Sequence, residues 1–99
     1  MNVEQAKMIA YMQKRDHVTQ SELAEFLDVT VRHVREIIEN INNMFIDGKF
    51  DYMIIGDYAG CKLTNDVALI SKYNSKRLAT AKALTDNAMA CQNRLRELG

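Results

Sequence analysis

Apolar residues recur at helical spacing in two short neighbouring segments of this chain. Leu23, Ala24 and Leu27 stand at i, i+1 and i+4, and Val34, Ile37, Ile38 and Ile41 form the same kind of stripe further on. The spacing predicts helices over about residues 20–27 and 31–43, joined by Asp28-Val29-Thr30. Thr19 and Glu22 read as a T-x-x-E capping box for the first of these helices, and Thr30 as the N-cap of the second. Ala24 falls where the two helices would cross, a place that needs a small side chain, and Val29 would plug the corner. An earlier stripe of Met8, Ile9 and Met12 predicts a helix over about 3–15, closed by the polar run Lys14-Arg15-Asp16.

Beyond an Asn-rich stretch and Asp47-Gly48, which should stop the third helix, the period shortens. Residues 49–64 read as a β-hairpin with Gly56 and Gly60 at either end of its tip. Phe50, Tyr52 and Ile54 fall on one face, Met53 and Ile55 on the other. An exposed hairpin normally keeps one polar face, so the second face requires a cover, and the rest of the chain is the candidate. From Asn65 to Leu98 neither Pro nor Gly interrupts a stretch dominated by Ala, Leu, Lys and Arg, which predicts one or two helices capped by Thr64, Asn65 or Asp66. Within it Ala81, Leu84, Ala88, Cys91, Leu95 and Leu98 follow a 3-4-3-4-3 spacing, the seam of a coiled coil. On a long C-terminal helix that seam would serve as a dimerisation stripe.

Two short helices with locked internal spacing across a three-residue turn make a helix-turn-helix. At Val18-Thr19, Glu22-Leu23-Ala24, Leu27, Val29-Thr30, Arg32, Val34-Arg35 and Ile38 the chain resembles the winged helix-turn-helix domains of DeoR-type bacterial transcription factors. Such turns usually carry Gly where Asp28 stands here, and Asp tolerates a left-handed backbone better than most residues. The resemblance covers roughly the first two-thirds of the chain. It implies a winged helix-turn-helix over 1–64, and with the helical pattern of 65–99 the expected fold is mainly α with a small β-hairpin, followed by a long C-terminal helical arm. It also casts His17-Val18-Thr19 as a short first strand paired with the hairpin.

In helix-turn-helix docking, the N-terminal part of the second helix of the motif enters the DNA major groove. Thr30, Val31, Arg32, His33, Arg35 and Glu36 are therefore the candidate DNA contacts on this helix, with Tyr58 and Lys62 added from the hairpin. Arg can grip a guanine through two hydrogen bonds and Glu can accept one from cytosine. The competing reading makes Arg32–Glu36 and Arg35–Glu39 ordinary i, i+4 ion pairs on a solvated face. The hairpin tip carries Asp57, which suits phosphate poorly, whereas Lys72, Lys76, Arg77 and Lys82 cluster in the arm.

Composition narrows the choice. Ninety-nine residues build one domain with a modest core, which disfavours an enzyme with a buried cleft. Thirteen basic residues balance thirteen acidic ones, so total charge points to no partner. Residues 1–64 hold seven basic and ten acidic side chains, and residues 65–99 hold six and three, which makes the arm the basic part. Cys61, Cys91, His17 and His33 lack the paired short spacings of a zinc site, and both thiols read as small buried hydrophobes. No nucleophile–base pair or cofactor fingerprint is present, so no catalytic, metal or cofactor site is expected. Without a bilayer-length apolar run or a signal segment, the expected location is the cytoplasm of a bacterial or phage-infected cell.

These observations lead to one expectation: a sequence-specific double-stranded DNA-binding protein, a homodimer through its C-terminal helix. Its role would be that of a transcriptional regulator or of the small accessory factors of phages and mobile elements, which a winged helix followed by a basic helix also resembles. The alternative is a protein–protein interaction module whose acidic first two-thirds binds another protein.

Overall fold

The computed structural model describes the backbone of residues 1–57, 60–80 and 85–99, with side chains at 1–56, 60–77 and 88–99. Three helices come first: α1 (Val3–Gln13), α2 (Gln20–Leu27) and α3 (Val31–Ile46). An antiparallel hairpin of β1 (Met53–Asp57) and β2 (Gly60–Thr64) follows, then α4 (Val67–Thr80) and α5 (Thr85–Leu98). The chain is thus mainly α with a small β-hairpin, as its periodicities indicate.

The helix termini explain the boundaries. Asn2 and Gln5 form a reciprocal capping box at the start of α1, an N-x-x-Q signal in the sequence that complements the stripe of Met8, Ile9 and Met12. Thr19 Oγ1 accepts the Glu22 N–H at 3.0 Å, but only half of the expected box forms at α2. The Glu22 carboxylate turns instead to the Tyr11 hydroxyl, with Arg15 at 3.8 Å. Asp28 ends α2 in the left-handed region, φ 55° and ψ 49°, while the Val29 N–H closes back on the Ala24 carbonyl at 3.0 Å. Thr30 Oγ1 then accepts the His33 N–H and starts α3.

α3 continues three residues past the expected stop near residue 43, because Phe45 extends the buried stripe of Val34, Ile37 and Ile41 by one more turn. It ends in a Schellman motif: the Gly48 N–H bonds to the Phe45 carbonyl and the Lys49 N–H to the Met44 carbonyl, with Gly48 at φ 75°. Asn42, inside the Asn-rich stretch that reads as a helix stop, uses its amide on the hairpin. Its Nδ2 donates to the Ile54 carbonyl and its Oδ1 accepts the Ile54 N–H. One side chain thereby occupies both outward backbone groups of an edge strand.

The hairpin is the middle layer between two helical layers. Ile54 and Cys61 pack with Met8, Leu23, Val34 and Ile41 from α1–α3. Met53 and Ile55, on the opposite face, pack with Phe45, Ile70, Cys91 and Leu95. Both cysteines are buried, one in each cluster. Val18 bridges Cys61 through two backbone hydrogen bonds of 2.9 and 2.6 Å, so residue 18 pairs with the hairpin as expected of a first strand. Gly60 makes this approach possible: a Cβ there would lie 2.5 Å from the Val18 carbonyl oxygen.

The arm takes the two-helix form of the one or two helices expected, and its buried face is turned to the chain's own hairpin. α4 and α5 pack on each other, so the long C-terminal helix expected for the dimer seam is not formed, and Asp66 caps α4 by accepting the N–H groups of Ala68 and Leu69. Buried Asn74 of α4 donates to the Ala88 carbonyl and to Gln92 of α5. Ala88, Cys91 and Leu95, three positions of the expected dimerisation seam, are covered by the chain's own hairpin and α4, with exposures of 0, 0 and 4%. Leu98 is exposed, and Ala81 and Leu84 lie outside the described residues. At Ala88, Cys91 and Leu95 the seam therefore records an intramolecular interface, in which a buried leucine such as Leu95 is worth roughly 1.5–3 kcal/mol.

Arg94 locks the two layers together. Its side chain is only 11% exposed; its Nε donates to the Phe45 carbonyl at 3.0 Å, and Asp51 and Glu97 lie at 3.5 and 3.7 Å. A cation on the last-turn carbonyls of α3 also opposes the negative end of that helix. Among the described residues no helix is long and apolar enough to cross a membrane.

Candidate nucleic-acid interface

The two halves of the helix-turn-helix expectation meet at the start of α3. Leu23 and Ala24 of α2 are buried against α3, where Val34, Ile37 and Ile41 form the inner face. The same rotation sends Arg32, Arg35, Glu36, Glu39, Asn40 and Asn43 outward, and all six are exposed. Arg32 projects furthest, with its side chain 90% exposed and a loose 3.9 Å pairing to Glu36. Arg35 does not pair with Glu39 as its i, i+4 spacing suggests. Its Nε donates to Gln20 Oε1 at 2.9 Å, which ties this guanidinium to the first turn of α2. Gln20 is thus part of the surface although its sequence position marks it only as the first residue of a helix.

The other candidates divide. Thr30 uses its hydroxyl on the cap of α3, and Val31 is half-buried against the core. His33 is turned toward α1: Nε2 lies 2.9 Å from Glu4, and Nδ1 faces Glu36 at 3.4 Å. The hydrogen bond to Glu4 raises the His33 pKa above the usual histidine value, with the Glu36 contact acting in the same direction against partial desolvation. His33 thereby serves as a staple between α1 and α3, and both ring nitrogens face carboxylates in place of an outside ligand.

Lys62 pairs with Ile55 across the hairpin and so shares the face turned to the arm, on β2, the strand that abuts α1. The structure does not bring it to the α3 arginines, whose neighbouring strand is β1. Tyr58 lies outside the described residues.

What the structure does bring to α3 is α4. A groove of about 370 Å³ runs between the two helices, with Arg35, Glu39 and Asn43 on one wall and Tyr73 and Arg77 on the other. The Arg77 guanidinium lies 5.6 Å from the centre of the Tyr73 ring. Comparison of the chain with protein-family models, curated proteins and solved structures gave no match to any of them.

Proposed function

We propose that the protein binds double-stranded DNA in a sequence-specific manner, reading the major groove with the N-terminal half of α3. It would act as a transcriptional regulator or a phage or mobile-element accessory factor in the cytoplasm. The observation that carries this reading is the presentation of Arg32 and Arg35 on the outer face of a capped helix start, directly after the left-handed turn at Asp28. Helix-turn-helix docking uses this part of the helix, and guanine recognition uses this side chain. The bridge from Val18 to the hairpin and the residues shared with DeoR-type domains support the winged form of the motif.

A single chain is the proposed binding unit. Three positions of the arm seam that motivated a homodimer, Ala88, Cys91 and Leu95, pack inside the chain, which supports the single chain as the unit.

Selecting bound duplexes from a random pool tests the reading. A defined motif should emerge, and Arg32→Ala or Arg35→Ala should cost about 1–3 kcal/mol on that motif while costing much less on unrelated duplex. Recovery of no motif would remove sequence-specific recognition.

One surface favours the second reading, a protein-interaction module. Phe26 is 49% exposed, its ring 4.3 Å from that of Tyr11, beside Glu22 and Glu25. Arg15 covers the Tyr11 ring at 3.6 Å and pairs with Glu22, so Phe26 and Glu25 are the part of this surface that suits a basic partner segment. Phe26→Ser that abolishes function while leaving duplex binding unchanged would support it.

A further inference from the structure

The hairpin is poorly equipped for the phosphate contacts that hold a reading helix in register, since Lys62 stands on β2 while β1 is the strand beside α3, and the tip sequence supplies Asp57. The basic arm covers the second face of the hairpin, where α4 borders both α3 and β1. On α4, residues 72, 73, 76 and 77 share one face by their i, i+1, i+4, i+5 spacing, and that face borders two grooves with Tyr73 as the ridge between them. The first groove lies between α3 and α4 and is flanked by Arg35 and Arg77. The second, about 170 Å³, lies between β1 and α4 and is flanked by Lys72 and Lys76 beside Gly56. Among the described residues, four cations and one carboxylate, Glu39, line the pair.

Arg35 belongs to both arrangements. It stands at the outer face of α3 and also forms one wall of the first groove. A backbone leaving bases held at Arg32 and Arg35 would therefore meet Arg77 and then the two lysines, spaced about 6 Å apart along the helix axis. Phosphate contacts of this kind fix register without reading sequence, and a lysine on a flexible stem suits them.

We propose that α4 is a second nucleic-acid-binding element, in which Lys72, Lys76 and Arg77 neutralise backbone phosphates of the duplex read by α3. The arm takes the role that a basic hairpin would otherwise fill. This inference rests on the DNA-binding reading above.

The test compares Lys72→Gln/Lys76→Gln with Lys7→Gln/Lys14→Gln, an equal change of charge at exposed positions near α1. Affinity is measured across salt for the selected duplex and for a random one, with thermal melts confirming that both variants fold. The α4 variant should lose roughly tenfold in affinity per lysine near 0.1 M salt on both duplexes, and its log–log salt slope should be shallower by about 2. The α1 variant should keep a slope close to that of the unmodified chain. Unmodified affinity and slope in the α4 variant, or the same loss in both variants, would overturn the α4 proposal while leaving the α3 reading intact. An unmodified chain that binds no duplex would overturn both.

Discussion

Asn42 on α3 stands in for a neighbouring strand at Ile54: its Oδ1 accepts the Ile54 N–H at 2.8 Å, and its Nδ2 donates to the Ile54 carbonyl at 3.0 Å. The contact fixes α3 to the edge of β1 and sets where that helix sits relative to the hairpin. Asn42→Ala leaves both backbone groups without that partner and should cost about 1–3 kcal/mol in urea unfolding. An unchanged midpoint would mean that water replaces the side chain at no cost.

The crossing of α2 and α3 gives a second expectation. Ala24 is 8% exposed against α3, so Ala24→Leu overpacks the crossing and should destabilise by about 1–3 kcal/mol. Asp28→Gly, at φ 55°, should be neutral or stabilising by up to about 1 kcal/mol, whereas a β-branched Asp28→Val should destabilise. Thermal melts of the three variants separate packing from backbone conformation. Equal effects of Gly and Val at position 28 would contradict the left-handed turn.

How much of this was legible in the sequence depends on the range over which each signal acts. The α2–α3 pair was readable because its stripes, the Thr30 cap and the tolerance of Asp28 for a left-handed backbone are all local. The two apolar faces of the hairpin, Ile54 against Met53 and Ile55, correctly called for cover on both sides. The rest of the chain was the candidate for the second cover, but whether the arm's seam would meet the hairpin or a second copy was not readable. A 3-4 spacing at Ala88, Cys91 and Leu95 shows that a helix buries one face, and it is the same whether the partner is another chain or a hairpin some thirty-five residues earlier in this one. Polar residues were the hardest to place. Asn42, Arg94 and His33 look like solvated helix positions, and only the fold brings Ile54, Phe45 and Glu4 to them.

Because the arm belongs to the core, Leu95→Ala should cost about 2–5 kcal/mol, and the unmodified chain should sediment as a monomer at tens of micromolar. Removing 65–99 should expose Met53, Ile55 and Phe45 and leave a chain that aggregates or fails to fold cooperatively. A well-folded 1–64 fragment would contradict the shared core, and a stable dimer of the unmodified chain would restore an interface between copies.

The His33 staple should make stability depend on pH. Its pKa is raised in the folded chain by the bond to Glu4, so the stabilisation is fully present below the unfolded value of about 6.5 and is lost as pH rises through the folded value. Glu4→Gln removes the main cause. The His33 ring signal in an NMR titration should then titrate at lower pH than in the unmodified chain. An unmoved titration would break the assignment of Glu4 as its partner.

The central claim is tested most directly by the affinity of the unmodified chain for the duplex selected from the random pool and for a random duplex, followed from about 50 to 200 mM salt. The account expects both affinities to fall linearly in log–log form with rising salt, and the selected duplex to be bound roughly a thousandfold or more tightly than the random one. No detectable binding to either duplex at the lowest salt, where attraction to phosphate is least screened, would contradict it.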